Sequence, residues 1–125
     1  MANELVLIVD DNEKNAKLAR DVLRVAGLRT LEAGSGGEAL ALAFEHQPDV
    51  ILMDIRLPDM DGTDAARRLK DDARTADIPV VALTSLATNG ESFREAGFDG
   101  YLEKPISVLE FPDQVRSYCE PKEAP

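Results

Sequence analysis

Three short runs of this chain are apolar at consecutive positions: Leu5-Val6-Leu7-Ile8-Val9, Val50-Ile51-Leu52-Met53 and Val80-Val81-Ala82-Leu83. Side chains of a strand point alternately to the two faces of its sheet, so a strand with one wet face must alternate polar and apolar. These runs do not alternate, and two of them are rich in β-branched residues. They read as strands buried on both faces, which implies a parallel sheet with helices on each side. Weaker strands are expected near residues 28–33 and 100–102.

The stretches between them read as helices. Residues 12–26 place Ala16, Ala19, Val22, Leu23 and Ala26 on one face, and Gly27 follows as a stop. Residues 35–46 open with Ser35-Gly36-Gly37-Glu38, which has the spacing of a capping box. Further helices are expected over 63–71, 89–96 and 108–119. Strand and helix thus alternate five times. Right-handed crossovers then give an α/β fold: a doubly wound, five-stranded parallel sheet of order 2-1-3-4-5 flanked by five helices, flavodoxin-like in its winding. The 125 residues suffice for one domain with a core of its own, here expected over 4–119. Residues 120–125, with two prolines and three charges, are expected to form a flexible tail.

Composition narrows the function classes. Acidic residues outnumber basic ones 24 to 14, for a formal net charge of −10. Such a surface repels a nucleic-acid backbone and an anionic membrane, so neither is an expected partner. The acidity fits solubility or cation binding equally well. Cys119 is the single cysteine, so no internal disulfide forms. The start, Met1-Ala2-Asn3-Glu4, has no basic segment, and no run approaches the roughly 20 apolar residues of a membrane helix. A cytoplasmic location is expected by exclusion.

In an open parallel sheet, ligands bind outside the carboxyl ends of the strands. The polar residues there are Asp10-Asp11 after the first strand, Asp54 after the third, Thr84-Ser85 after the fourth and Lys104-Pro105 after the fifth. Three carboxylates at one rim repel each other by roughly 4 kcal/mol per pair, at about 4 Å and an effective dielectric of about 20. A hard divalent cation offsets that repulsion, and oxygen ligands select Mg²⁺ or a similar ion over zinc. Lys104 adds a second positive charge. A carboxylate nucleophile beside a metal and a lysine is what phosphoryl transfer needs in positioning and electrostatics. The Thr84 hydroxyl could donate to the arriving group, and the small Ser85 would leave the approach to Asp54 open.

Asp10-Asp11, the segment Met53-Asp54-Ile55-Arg56-Leu57-Pro58-Asp59-Met60-Asp61-Gly62, Thr84-Ser85 and Lys104-Pro105 together resemble the motifs of the CheY-like receiver domain of bacterial two-component systems. The resemblance runs from Glu4 to about Cys119. It implies that Asp54 is the phosphoacceptor. It implies that Asp11, Asp54 and the main-chain carbonyl of Arg56 hold Mg²⁺, with Mn²⁺ able to stand in, and that Asp10 supports the metal through water. Lys104 would pair with the phosphoryl group. Thr84 and Tyr101 would be the switch pair that remodels the face made by the fourth helix, fifth strand and fifth helix. The Lys104–Pro105 bond would be cis. The flanks of Asp54 and the segment Lys104-Pro105-Ile106-Ser107-Val108 are similar to stand-alone receivers of the DivK cell-cycle type.

Two departures from the family pattern fall on that output face. The segment from Leu86 to Gly97 is about two residues short, so the fourth helix is expected to be clipped or irregular. Pro112 falls where the fifth helix should be running. A helix capped by Ser107, with Glu110 completing a box, would set Pro112 against the carbonyl of Val108 at a cost of about 3 kcal/mol. A turn over 107–111 with the helix starting at Pro112 avoids this.

Simpler readings stand beside these roles. Asp10-Asp11 alone is also what a solvated turn and helix cap looks like. Tyr101 on a half-buried edge strand fits packing as well as switching. Arg56 and Leu86 either screen water attacking the phosphorylated site or are plain surface side chains. Gly62 reads as a turn before the third helix, His46 as an exposed helix-end residue, and Cys119 as inert.

The reading that follows is a single-domain response regulator. It accepts a phosphoryl group on Asp54 from a sensor histidine kinase or histidine phosphotransfer protein. It is not an enzyme on an external substrate, acts only on its own phosphorylation and dephosphorylation, and signals to a downstream protein as a monomer or weak dimer. A Mg²⁺-dependent phosphoaspartyl hydrolase would carry an aspartate where Arg56 stands. An unphosphorylated pseudo-receiver would be expected to lack one of the acids or the lysine.

Overall fold

In a computed structural model, which describes residues 4–84, 97–103 and 106–119, every apolar run is a strand. β1 (Leu5–Val9), β2 (Arg29–Ala33), β3 (Val50–Asp54), β4 (Val80–Thr84) and β5 (Gly100–Glu103) form one sheet of order β2-β1-β3-β4-β5. All four pairings are parallel. The register sets Val9 beside Met53, and Asp54 beside Leu83. Residues 6–9, 50–53 and 80–82 are fully buried.

The consecutive burial has a simple cause. Val6, Ile8, Val50, Leu52, Val81 and Leu83 face one apolar layer, while their neighbours Leu7, Val9, Ile51, Met53, Val80 and Ala82 face the other. The first layer is closed by α1 (Glu13–Val25) and α4 (Phe111–Cys119), the second by α2 (Gly36–His46) and α3 (Gly62–Asp71). The helical stretch expected over 89–96 and the tail over 120–125 lie outside the described residues, so α4 is the fifth helix of the sequence reading.

Helix ends follow local chemistry. The Asn12 side chain caps α1, accepting from the backbone N–H groups of Lys14 and Asn15 at 2.9 and 3.2 Å. Ser35 caps α2 by accepting from Glu38 N–H at 3.2 Å. The Glu38 carboxylate reaches back to Gly34 N–H at 2.8 Å, one residue upstream of a regular capping box. α2 ends at the exposed His46, after which Gln47 turns left-handed at φ 49° and returns its N–H to Ala43. α3 starts at Gly62, one residue before the expected Thr63.

The C-terminal helix takes the less strained of the two courses open to it. Residues 108–110 form a turn, and α4 begins at Phe111, with Pro112 in its first turn where a missing N–H costs nothing. Phe111 N–H donates to Ser107 carbonyl at 2.8 Å, and Ser107 Oγ accepts from Glu110 N–H at 3.3 Å. The shift drives Phe111 into the core and leaves Leu109 89% exposed. The Arg116 guanidinium donates to the carbonyl of Ala26, tying α4 to the end of α1. At the amino ends of the strands, Lys70 pairs with Asp99 at 2.7 Å, and Asp99 accepts from Val80 N–H at 2.8 Å. No helix among the described residues is long and apolar enough to cross a membrane.

These positions predict opposite outcomes for neighbouring side chains. Urea denaturation of Phe111→Ala should show a loss of about 3–5 kcal/mol, the cost of emptying a closed aromatic site. Leu109→Ala should stay within about 0.5 kcal/mol of the parent.

Candidate functional site

β1 does not stop cleanly at Val9. Asp10 N–H still donates to Ala33 carbonyl at 3.0 Å, so Asp10 is held at the rim with only 5% of its surface exposed. Its Oδ1 accepts from Asn12 N–H at 2.9 Å, which bends the chain toward α1. Capping of α1 falls to Asn12, so neither aspartate is spent as the helix cap. Asp11, between them, is exposed.

Asp54 ends β3 in the next position of the sheet. Its Oδ1 accepts from Arg56 N–H at 3.3 Å, and Gly62 N–H donates to Ile55 carbonyl at 2.6 Å. Arg56 and Asp61 form an isolated antiparallel bridge, so the connection from β3 to α3 is a closed loop rather than a loose one. Gly62 matters for a reason other than the turn expected of it. A Cβ there would overlap the carbonyl oxygen of Asp54 and come within 2.9 Å of Ile55 Cα. Its role is close approach of α3 to the strand end, and nothing in its conformation demands φ above zero.

The result is a triad of acids. Asp10, Asp11 and Asp54 each bring one carboxylate oxygen to within 4.8 Å of the others. At such spacing each pair repels by a few kcal/mol at an effective dielectric of about 20. The donor set is all oxygen, carries three negative charges and is built on the ends of rigid strands, which fits a hard divalent cation. Thr84, 5% exposed, ends β4 one residue past the partner of Asp54. Tyr101 lies in edge strand β5 opposite Ala82 and is 37% exposed. The Arg56 side chain is exposed. Lys104, Pro105, Ser85 and Leu86, together with the expected cis bond, lie outside the described residues.

Asn12 and Asp59 are structurally consequential residues that motif reading passes over. Asn12 had a local signal, a capping residue just ahead of a helix. Asp59 had none, because its partners Gly36 and Gly37 lie more than 20 residues back along the chain. Burial pushes the Cys119 thiol up to about 12.

The fold is a doubly wound α/β domain with three acids gathered at the carboxyl rim of its sheet. The model of the response regulator receiver domain matches residues 6–116, nearly the whole chain. The polar-differentiation response regulator DivK of Brucella ovis is 48% identical over 115 residues, spanning 90% of this chain and 94% of that protein. A putative response regulator from Chloroflexus aurantiacus superposes with a TM-score of 0.88 at 32% identity, covering 94% of this chain and 98% of that one. The receiver domain of a Pseudomonas aeruginosa sensor histidine kinase, with magnesium ion coordinated in its active site cleft, superposes with a TM-score of 0.85 at 32% identity, over 94% and 98% of the two chains. The chain belongs to the response regulator receiver family of two-component signalling.

The close packing at Gly62 generates a prediction. Gly62→Ala should lower stability by about 1–3 kcal/mol in urea denaturation, because the overlapping atoms are backbone and only a shift of the loop relieves them.

Proposed function

We propose that residues 4–119 form a receiver that is switched by phosphorylation of Asp54, and that a phosphohistidine is the donor. The single observation that carries this reading is the convergence of Asp10, Asp11 and Asp54 within 4.8 Å at the carboxyl rim of the sheet. Asp11, Asp54 and the main-chain carbonyl of Arg56 would hold Mg²⁺ or Mn²⁺, with Asp10 acting through water. When bound, the ion supplies positive charge that offsets the acids and the phosphoryl oxygens.

The chain's own residues then divide the work. A carboxylate oxygen of Asp54 attacks phosphorus, a P–O bond forms, the P–N bond to the donor histidine breaks, and the imidazole leaves with the bonding pair. Lys104 pairs with a phosphoryl oxygen. The Thr84 hydroxyl donates to another, and Tyr101, whose ring is solvent-accessible on the edge strand, follows by turning inward. Hydrolysis of the acyl phosphate returns the domain to its starting state. The output is contact with a downstream protein in the cytoplasm, by a monomer or weak dimer.

Docking of the donor is supported by an apolar depression beside the acids. It is lined by Ile8, Leu18, Ala19, Leu83 and Ile106, together with Asp10 and Asn15. Leu18, beside the buried Ala19 on α1, lines it and is 43% exposed. A histidine-bearing helix seated there would bring its imidazole toward Asp54.

Intact mass after incubation with phosphoramidate and Mg²⁺ tests the site. One phosphoryl group should be gained by the parent chain, and none by Asp54→Asn or after EDTA. A parent chain that gains nothing, even from a competent phosphorylated histidine kinase, would sink the reading. Docking is tested with Leu18→Asp. Transfer from a phosphohistidine protein should slow about ten-fold, the equivalent of about 1.4 kcal/mol at a contact, while phosphorylation by phosphoramidate is unchanged.

A further inference from the structure

The loop from β3 to α3 is fastened to a part of the fold distant in sequence. Asp59 spends both carboxylate oxygens on the first turn of α2: Oδ1 accepts from Gly36 N–H at 2.8 Å and Oδ2 from Gly37 N–H at 2.9 Å. These two N–H groups hold the Asp59 carboxyl below the usual carboxylate range. α2 already has its own cap, since Ser35 takes Glu38 N–H. Asp59 therefore completes the helix end from outside, with a charge at the positive end of the helix dipole.

The neighbours of this contact are fitted to it. Met60 lies so close over Gly36 that a Cβ there would sit 2.5 Å from Met60 Cγ. At the other end of the loop, Gly62 lets α3 press against the carbonyl of Asp54. Between these points runs the Arg56–Asp61 bridge. The loop is thus held at its root by Gly62, across its width by the bridge and at its tip by Asp59.

We infer that Asp59 is a positioning residue for phosphorylation: by clamping the tip of the loop to α2, it holds the main chain at Arg56 in place for the metal beside Asp54. This rests on the phosphoacceptor reading above. A carbonyl ligand has no side chain to adjust its position, so its geometry depends wholly on how the loop is tied. Partners that orient a metal ligand typically contribute ten-fold or more to affinity.

The test uses the full chain with Asp59→Ala and Asp59→Asn. Mg²⁺ affinity is read by calorimetry, phosphorylation by phosphoramidate at sub-saturating Mg²⁺, and folding by thermal melting. Asp59→Ala should weaken Mg²⁺ binding about ten-fold and slow phosphorylation in proportion, with the lost rate recovered at high Mg²⁺. Asp59→Asn, neutral but keeping one acceptor oxygen, should fall between the alanine variant and the parent. Three results would overturn the clamp. A lower melting temperature with unchanged Mg²⁺ affinity would make Asp59 a helix cap and nothing more. Equal losses in Asn and Ala would assign the effect to charge. A parent chain that neither binds Mg²⁺ nor takes a phosphoryl group would remove the phosphoacceptor reading and the clamp with it, an outcome distinct from a competent parent whose variants behave like it. If Asp59→Ala does not fold, the Asn variant decides between clamp and no clamp.

Discussion

A parallel sheet that is dry on both faces leaves a polar side chain one place to stand, the end of a strand. Every interior position of β1, β3 and β4 is committed to an apolar layer, one above and one below. Charge enters only where the strand runs out and the backbone turns toward a helix. Because the strands are parallel, their carboxyl ends lie along one rim, and the crossover helices return the chain each time to the opposite edge. Acids far apart in sequence, Asp10 and Asp54, are gathered by the ladder without any contact of their own to draw them together. The attraction that assembles this site is apolar burial elsewhere, and the site itself is repulsive.

That repulsion explains how the acids are held. Asp10 keeps a ladder hydrogen bond to Ala33 and turns its carboxylate toward Asn12 N–H. Asp54 is fixed by the β3–β4 pairing and by Arg56 N–H. Backbone donors thus help to orient both carboxylates at the rim. Three carboxylates this close suit a hard cation, which would relieve the repulsion between them. The loop past Asp54 is packed so closely that Gly62 is required by space, the atoms a Cβ would meet being backbone.

Much of this was legible in the sequence, for identifiable reasons. Unbroken apolar runs give buried parallel strands directly, and strand-end acids follow once the sheet is parallel. Pro112 announced the altered start of the last helix, because a missing N–H and a ring clash are local facts. Other features were illegible because they depend on contacts across the fold. Gly62 looked like a turn residue, yet what it avoids is the Asp54 carbonyl, a neighbour that exists only after α3 docks. Asp59 stood in the motif segment with no role of its own, because its partners are backbone N–H groups, which every residue but proline carries and no sequence pattern marks. Tyr101, by contrast, was legible: the expected order 2-1-3-4-5 already put its strand at the edge, where it is partly exposed.

The late start of α4 shows how one local rule reshapes a surface. With Pro112 confined to the first turn, the helix starts only at Phe111, and Val108 and Leu109 lie on a turn at 59% and 89% exposure. Phe111, next to the proline, takes the buried site between α1 and the sheet. The helix is left with nine residues, too few to stand by itself, so its place depends on Phe111 and Val115 in the core and on Arg116 at the end of α1. The acid rim lies on other strand ends and shares none of these contacts. The acids end β1 and β3, whereas the altered helix start follows β5, so different stretches of chain shape the rim and the surface at Val108 and Leu109.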